Sequence, residues 1–336
     1  MRRFALGLAL LSFACSETPT KSSHPDKLET LVLRYEGSAG NVTYPELAED
    51  LGYLDPIKLQ YVGNNSTGGP HSIQSVVTGD IDFGSSFNGA IIKLIAAGAP
   101  IRAVLASYGT DEQTFSGFYT LDDSALRGPK DLIGKKVAMN TLGAHAEFAL
   151  KEYLVRGGLT PEQIKQVTML VLPPVNGELS LRHRQVDLAG FSVLLRDKAL
   201  QRGGIRMLFN DQEMFGNFNA GSFVLSKRFM SENPNSSRKF VQATGRAIEW
   251  ARTTPREQVI ERFKAIVAKR KRNEDGTSLG FWRSTGIATK NGELTDHEFK
   301  MWVDWLVEDG QLQKGQLKIR DLYTNEFQNG PQLASN

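Results

Sequence analysis

The chain has 336 residues, with 40 basic and 37 acidic side chains, 32 glycines and one cysteine. This composition excludes a collagen, a coiled coil and a wholly disordered chain, and at about 100 to 200 residues per domain the length predicts two domains. The formal net charge of +3 is too small for a nucleic-acid-binding surface unless basic residues cluster. Only residues 269–272 form a basic run, which we interpret as a solvated helix end, so we expect no nucleic-acid partner.

Residues 1–15 have the sequence features of an export signal peptide. Arg2 and Arg3 precede an apolar stretch over residues 4–13, which is too short to span a bilayer. Residues 11–15 (LSFAC) resemble a bacterial lipoprotein signal, with Ser12 where leucine is usual, and this predicts lipid attachment at Cys15. Ordinary export with a cysteine that has no role is the alternative. We expect residues 16–29 to be a flexible tether and the protein to be a membrane-anchored lipoprotein of the periplasm or cell surface.

From residue 30 onward, short apolar runs alternate with longer helical patterns, and glycine-rich joints separate them. Such alternation is typical of α/β lobes with mainly parallel sheets that are covered on both faces. The predicted strands are residues 31–35, 57–62, 81–85, 101–107, 117–121, 136–139, 167–172, 188–191, 205–209 and 222–225. The predicted helices between them are residues 44–50, 70–78, 89–97, 144–156, 175–183 and 194–202.

Two parts of the chain resemble each other at an offset of about 104 residues. The strand and loop over residues 31–41 match residues 136–145, and residues 78–84 match residues 184–190. We interpret this correspondence as two doubly wound lobes of the same design, although any two α/β units look somewhat alike. The predicted boundaries are residues 30–110 with 220–336 for lobe 1, and residues 111–219 for lobe 2.

The last part of the chain has a different pattern. Amphipathic helical patterns at residues 235–254, 255–270 and 294–307 predict a helical cover on lobe 1. Phe299, Trp302 and Trp305 have helical spacing, which indicates core packing. Phe215 and Phe218 lie where the chain would recross between the lobes, so they form either a hinge or ligand wall or a plain packed loop.

Four glycine-rich loops follow predicted strands, at residues 36–41, 64–71, 85–89 and 140–145. In open α/β sheets, ligands bind beyond the carboxyl ends of the strands, where helix N-termini approach closely. None of these loops contains lysine or arginine, so backbone N–H groups and helix dipoles would hold a bound anion. This favours a small sulfonate, nitrate or carboxylate over a polyphosphate, and helix capping is the alternative use of the polar residues.

Three titratable residues at these loops leave other ligands open. Glu36, His71 and His145 have the chemistry to hold an ammonium group or a metal, or they are polar residues at loop edges. We predict no metal site, because no two histidines have the helical i, i+4 spacing and no ligating cysteine is present. The sequence has no G-x-S-x-G elbow, no P-loop lysine and no zincin motif, so we predict neither an enzyme nor a cofactor.

Eight segments together resemble the nitrate, taurine and aliphatic-sulfonate substrate-binding proteins of ABC importers. The resemblance extends from about residue 30 to residue 327. The segments are residues 76–84 (VVTGDIDFG), 96–102 (AAGAPIR), 131–138 (DLIGKKVA), 158–161 (GLTP), 185–187 (QVD), 223–229 (FVLSKRF), 302–307 (WVDWLV) and 321–325 (DLYTN).

The resemblance implies a type II periplasmic-binding fold, in which two α/β lobes and two crossing segments surround a central ligand cleft. It implies a monomer that captures a small molecule by cleft closure and delivers it to a membrane permease with its ATPase. The cleft residues that it implies are Ser38, Asn41, Thr67, Ser86, Phe87, Asn88, Thr141, Gly143, His145, Phe191 and Asn217. The sequence departs from the family pattern at Glu36 and His71, which we add as candidates because they suit a zwitterionic ligand.

Two other functions remain open. The first is an enzyme on the same fold, similar to the pyrimidine-synthesising proteins of thiamine metabolism. In that family the activity depends on a cysteine-rich segment, which a chain with the single cysteine Cys15 does not supply. The second is a lipoprotein that acts as a sensor or scaffold and docks a membrane partner.

Overall fold

A computed structural model describes residues 27–65, 68–191 and 193–329, except for the side chains of residues 174, 175, 193 and 194. The expected signal peptide with Cys15, most of the expected tether, and the candidate Thr67 therefore lie outside the described residues. Within these residues, no helix combines the length and the apolar character needed to cross a bilayer.

Strands and helices alternate through the first two thirds of the described chain, and helices dominate its end. The first group is β1 (Val32–Gly37), α1 (Tyr44–Asp50), β2 (Lys58–Asn64), α2 (Gly69–Thr78), β3 (Phe83–Phe87), α3 (Asn88–Ala96) and β4 (Ile101–Thr110). The second group is β5 (Gly117–Leu121), β6 (Lys136–Met139), α4 (His145–Arg156), α5 (Pro161–Ile164), β7 (Thr168–Val171), α6 (Pro174–Arg182), β8 (Leu188–Phe191), α7 (Val193–Gln201), β9 (Ile205–Asn210) and α8 (Asp211–Phe215). The last group is β10 (Phe218–Ser226), α9 (Lys227–Glu232), α10 (Pro234–Thr253), α11 (Arg256–Arg270) and α12 (Asp296–Glu308).

The strands form three sheets. In lobe 1, β1 pairs with β2 in parallel, and the order of the second sheet is β3-β10-β4. The Asp82 N–H, just before β3, donates to the Arg34 carbonyl at 3.0 Å and links the start of β3 to β1. In lobe 2, the five strands have the order β7-β6-β8-β5-β9.

The prediction of mainly parallel sheets is wrong, because four of the seven described strand pairs are antiparallel. β10 runs antiparallel to both β3 and β4, and β5 runs antiparallel to both β8 and β9. The chain leaves lobe 1 through β4 and returns through β10, so these neighbours run in opposite directions and Phe218 pairs with Thr110. Gly117 and Asn210 form the matching pair on the side of lobe 2. An apolar run indicates that a strand is buried but does not indicate its direction.

Alternating side chains give the sheet of lobe 2 two apolar faces. Phe118 and Val137 belong to one buried cluster, whereas their neighbours Tyr119 and Ala138 belong to another. Because successive strand residues point to opposite faces, helices must cover both sides of this sheet. The structure therefore confirms a mixed α/β fold of the doubly wound kind, while the residue boundaries of the two lobes stay a prediction.

A single larger core occupies lobe 1 and reaches across to α4. It contains residues of β1, β3, β4 and β10 together with residues of α10, α11 and α12. Phe148 of α4 also belongs to this core, and its ring centroid lies 4.1 Å from that of Trp302. Phe218 is 2% exposed and packs against both Trp302 and Phe215, which favours packing over a ligand wall for these two phenylalanines.

The basic run at residues 269–272 is a solvated helix end only at its two lysines, Lys269 and Lys271, which are exposed, whereas its two arginines are largely buried. Arg270 forms ion pairs with Glu46 at 2.8 Å and Glu274 at 2.6 Å, and all three side chains are at most 7% exposed. Lys271 and Asn273 have φ values of 53°, in the left-handed region. The backbone at these two residues turns away from the axis of α11 and ends the helix. As a result, Arg270 and Arg272 both point toward the buried Glu46 carboxylate, from which Arg272 lies 3.6 Å away. The helical pattern in the sequence could not show that the chain turns here and buries the two arginines.

Candidate functional site

Two adjoining cavities lie where the lobes meet. The first has a volume of about 430 Å³ and the second a volume of about 410 Å³. Six residues line both of them, so the two cavities are parts of one cleft. The shared residues are Ser38, Asn41, Ser85, Tyr108, Ser116 and His145.

Four helices begin at the first cavity. Its walls include Gly69 in the first turn of α2, Phe87 before α3, His145 at the start of α4 and Leu195 in the first turn of α7. Among the described residues, which leave out residues 66 and 67 before α2, no side chain caps the N-terminus of α2, α3 or α4. The first N–H groups of a helix have no partner within the helix, and their dipoles carry partial positive charge. The first cavity therefore collects free donors from both lobes.

Close packing at Gly69 brings the start of α2 to the end of β3. A Cβ atom at Gly69 would lie 2.5 Å from the Oγ of Ser86 and 2.8 Å from its Cα, so any larger residue must push α2 away. The Ser86 side chain is 2% exposed, and its Oγ has no hydrogen-bond partner among the described residues. A buried hydroxyl without a partner is costly unless a ligand or water completes it.

The lining of the cleft is almost free of side-chain charge. Of the residues that the structure describes, no aspartate, glutamate or lysine lines either cavity, and Arg283 at the second cavity is the one arginine. Arg283 donates to Asp197 of α7 at 2.8 Å, so its charge is already paired. Because no described lining side chain of the first cavity carries a negative charge, the partial positive charge of the helix N-termini favours an anion there, and the buried Asp211 behind His145 is an opposing charge nearby.

His145 and Asp211 connect the start of α4 to the crossing strands. Asp211 is fully buried and accepts hydrogen bonds from the Ser116 N–H at 3.0 Å and the Thr110 hydroxyl at 3.2 Å. His145 Nε2 lies 3.1 Å from Asp211 Oδ2 without forming a hydrogen bond of good geometry. The imidazole stacks on Phe87, with a centroid distance of 5.4 Å and an interplanar angle of 5°. This packing fixes the His145 ring as a wall of both cavities.

Tyr108 faces both cavities from β4. It is 36% exposed and is a lining residue of both cavities. Desolvation raises the pKa of Tyr108, and the negative charge of Asp211 raises it further. The phenol is therefore neutral at physiological pH and is able to donate a hydrogen bond to a ligand.

Seven of the thirteen candidate residues line the first cavity. They come from both lobes, as the sequence interpretation requires. These residues are Ser38, Asn41, Ser86, Phe87, Thr141, His145 and Phe191.

The other described candidates lie outside both cavities. Asn88 is fully buried, donates to the Asn219 carbonyl at 3.1 Å and accepts from the Ser222 hydroxyl at 2.7 Å, so it joins α3 to β10. Gly143 donates its N–H to Glu147 at 2.6 Å, and Asn217 is exposed and donates to Glu112 at 2.9 Å.

Glu36 of β1 and His71 of α2 lie close to each other, outside the two cavities. The His71 Nδ1 lies 3.7 Å from a Glu36 carboxylate oxygen, which also accepts from Ser75 at 3.4 Å. Neither residue lines the first or the second cavity. The acidic group of Glu36 and the imidazole of His71 were the reason to expect a zwitterionic ligand, and their contact with a ligand stays a prediction that the lining of the two cavities does not support.

Several lining residues were missed from the sequence. Asn65 and Asn140 line the first cavity, and both lie in or beside predicted glycine-rich loops, so their position after a strand was an available signal. Tyr44, Phe115 and Trp282 line the second cavity. Trp282 lies in an irregular segment after α11, where no periodic pattern indicates what the side chain contacts.

Two ion pairs join the lobes beside the cleft. Arg283 pairs with Asp197 of α7 at 2.8 Å, and Lys151 of α4 pairs with Asp309 after α12 at 3.2 Å. Desolvation tends to raise the pKa of Asp197, but hydrogen bonds from Arg196 and Arg283 outweigh it and lower the pKa below its usual value. An aspartate with a depressed pKa contributes stability above its unfolded-state pKa of about 3.9 and loses it only as the pH falls through the folded-state pKa. The Asp197 pair is therefore intact at neutral pH.

A larger groove of about 660 Å³ lies on the outside of lobe 1. Arg102, Lys227 and Arg238 line it together with Asp321 and Glu326. Its positive side chains are thus balanced by nearby carboxylates, and residues of lobe 2 do not contribute to it. We therefore place the candidate site in the cleft.

Among the described residues, no group of three or more histidine, cysteine or acidic side chains is arranged to hold a metal ion.

Known proteins share this architecture. The alkanesulfonate-binding protein SsuA from Xanthomonas axonopodis pv. citri, whose structure contains MOPS, superposes with a TM-score of 0.68 at 20% identity, over 89% of this chain and 99% of that chain. The nitrate-binding protein NrtA from Synechocystis PCC 6803 gives a TM-score of 0.69 at 14% identity, over 90% and 88% of the two chains. The desulfurization enzyme DSZB gives 0.61 at 16% identity, over 89% and 97%.

Because the sequence identities are only 14–20%, these structural similarities establish the fold but do not identify the ligand. A comparison with curated protein sequences gives no match. The family model described as NMT1/THI5 like matches residues 46–258, which is more than half of the chain. The chain therefore belongs to the NMT1/THI5-like family and has the fold that it shares with periplasmic sulfonate-binding and nitrate-binding proteins.

Proposed function

We propose that this protein is the solute receptor of an ABC importer and that it captures one small organic anion in the cleft between its lobes. The observation that carries the proposal is the convergence of uncapped helix N-termini on a cavity whose lining contains no acidic residue. The sulfonate-binding and nitrate-binding proteins with the same fold support it. Export, a lipid anchor at Cys15 and a monomeric state belong to the same proposal.

The free energy with which helix N-termini stabilise an anion suits a ligand headgroup that carries a single negative charge. A helix N-terminus stabilises an anion by about 0.3–1 kcal/mol, and by up to about 2 kcal/mol in partly buried geometry. Charge-assisted hydrogen bonds from N–H groups and the Ser86 hydroxyl add to this. Several such contacts hold one anionic group, and burial of an organic body supplies the rest of the affinity. A polyphosphate would lack the lysine and arginine partners that it normally requires.

Cavity size favours an organic anion over nitrate. One water occupies about 30 Å³ of the liquid, so a nitrate ion would leave most of a cavity of about 430 Å³ to water. An amino-sulfonate such as taurine would place its ammonium group where the lining offers no carboxylate. A buried charge without a partner is costly, so we propose an anion rather than a zwitterion.

Closure of the cleft would couple ligand capture to delivery. The first cavity is lined from both lobes, so a ligand that contacts both stabilises the closed form over the open one. The permease would then recognise the closed form. We propose no catalytic step, because the described lining contains no cysteine, lysine or carboxylate, and the His145 Nε2 has no hydrogen bond to any lining serine that it could activate.

Replacing Gly69 by alanine is expected to weaken ethanesulfonate binding at least tenfold. The new Cβ would lie 2.5 Å from Ser86 Oγ, so α2 must move and its N-terminus no longer meets the headgroup. Isothermal titration calorimetry on the purified full chain measures the affinity. Gly63→Ala is the matched control, because a Cβ at Gly63 meets no atom within 4 Å. Full affinity in the Gly69→Ala protein would contradict the placement of the anion, and no binding of any small anion by the unsubstituted chain would refute the proposed function.

Replacing Arg283 by glutamine is expected to weaken binding of the same ligand by about two- to fivefold. The substitution removes the pair with Asp197 that joins the lobes, and a half-exposed pair contributes about 0.5–1 kcal/mol. Titration calorimetry at neutral pH measures the change. Arg184→Gln serves as the control, because Arg184 pairs with Asp123 within lobe 2. Equal affinities in the two variants would show that the ion pair has no part in closure.

A further inference from the structure

We infer that the natural ligand is an organic anion with an uncharged aromatic body, and that its ring system lies in the second cavity. The inference rests on the proposed function, because the first cavity must hold the anionic headgroup. It adds the class of ligand, which neither the fold nor the first cavity specifies.

Aromatic side chains from separate parts of the chain surround the second cavity. Tyr44 comes from α1, Phe223 from β10 and Phe263 from α11, and Phe115 and Trp282 come from two connecting segments. Trp282 and Phe263 pack edge to face with a centroid distance of 5.9 Å. Such surfaces favour flat π-systems, because ring geometry adds to the stabilisation that comes from the buried area.

The second cavity lacks a partner for a second charge. Its lining contains no acidic side chain, and the Arg283 guanidinium is already bound to Asp197 at 2.8 Å. Its polar sites include the Ser107 hydroxyl, which is buried and has no hydrogen-bond partner among the described residues. Because no charged side chain of the described lining is left to pair a second charge, we take the part of the ligand that enters this cavity to be neutral.

The size and continuity of the cavities fit a single ligand with one or two rings. A cavity of about 150 Å³ lined by apolar side chains holds one benzene molecule, so a volume of about 410 Å³ accommodates a bicyclic body. Ser38, Tyr108 and His145 are among the residues that line both cavities. One molecule can therefore place its anionic group at the helix N-termini and its ring among the aromatic walls.

The test compares three sulfonates that share a headgroup. Titration calorimetry on the full chain would use ethanesulfonate, benzenesulfonate and naphthalene-2-sulfonate. We expect at least one of the two arenesulfonates to bind at least tenfold more tightly than ethanesulfonate. If ethanesulfonate binds as tightly as both arenesulfonates or more tightly, the inference is overturned while the proposed function stands. If none of the three binds, the inference falls, and a wider panel of small anions decides the proposed function.

A substitution at the aromatic wall separates ring recognition from headgroup recognition. Trp282→Ala is expected to weaken arenesulfonate binding about tenfold and to change ethanesulfonate binding by less than twofold. Trp250→Ala is the matched control, because Trp250 lines neither cavity. If Trp282→Ala does not fold, Phe115→Leu provides the same comparison with a smaller expected loss of about threefold. An equal loss for all three ligands in the folded variant would overturn the inference.

Discussion

Replacing Arg270 by alanine is expected to lower the free energy of unfolding by about 3–5 kcal/mol, the range for breaking a buried ion pair from one side. Arg270 donates to Glu46 at 2.8 Å, to Glu274 at 2.6 Å and to the Asn41 carbonyl at 2.8 Å. Its removal leaves two carboxylates that are at most 4% exposed, with Arg272 at 3.6 Å from Glu46 as a remaining cation. Urea denaturation followed by circular dichroism measures the loss.

A second arginine of α11 provides the control for this substitution. Arg262 pairs with Asp50 at 2.8 Å, but its side chain is 37% exposed, so Arg262→Ala is expected to cost about 1 kcal/mol or less. Equal costs for the two arginines would contradict the buried network.

The network also supports the site, because the Gly40 N–H donates to Glu274 at 2.9 Å behind Ser38 and Asn41. Arg270→Ala should therefore also weaken ligand binding.

Replacing Trp302 by alanine is expected to cost about 3–5 kcal/mol, the range for truncating a buried aromatic side chain. Trp302 is fully buried, and its ring centroid lies 4.5 Å from that of Phe87 and 4.1 Å from that of Phe148. Phe87 ends β3 at the first cavity, and Phe148 lies on α4. The substitution therefore loosens the contact between α12 and α4, and thermal denaturation is expected to show a lower midpoint.

Trp302→Phe tests the physical reason for that cost. The Trp302 Nε1 atom is buried and has no hydrogen-bond partner among the described residues. Phenylalanine keeps a ring in the cluster and removes this unpaired donor, so we expect less than half of the cost of alanine. A Trp302→Phe protein as unstable as Trp302→Ala would show that ring packing is not what stabilises this contact.

Much of the fold could be predicted because apolar periodicity depends on local sequence. All ten predicted strands and all nine predicted helices are present in the structure, with small differences at their ends. The sequence interpretation missed three short helices, α5, α8 and α9, which have too few residues to show a period. The direction of β5 and β10 was also missed, because it depends on where the chain crosses between lobes and not on the strand sequence.

The site could be predicted only where its residues follow strands. The glycine-rich loops indicated helix N-termini at a cleft, and seven candidates line the first cavity. Asp211 gave no sequence signal, because its hydrogen-bond partners Thr110 and Ser116 lie 101 and 95 residues away. Asn88 was misplaced because a polar residue after a strand was assumed to face the cleft, whereas it bonds to β10 in the core.

The central claim is that an organic anion binds at the helix N-termini inside the cleft. A crystal structure of the protein with an arenesulfonate or alkanesulfonate tests it most directly. The account predicts sulfonate oxygens within hydrogen-bond distance of N–H groups in the first turns of α2 and α4 and of the Ser86 hydroxyl. A sulfonate bound instead in the outer groove of lobe 1, beside Arg102 and Lys227, would contradict it.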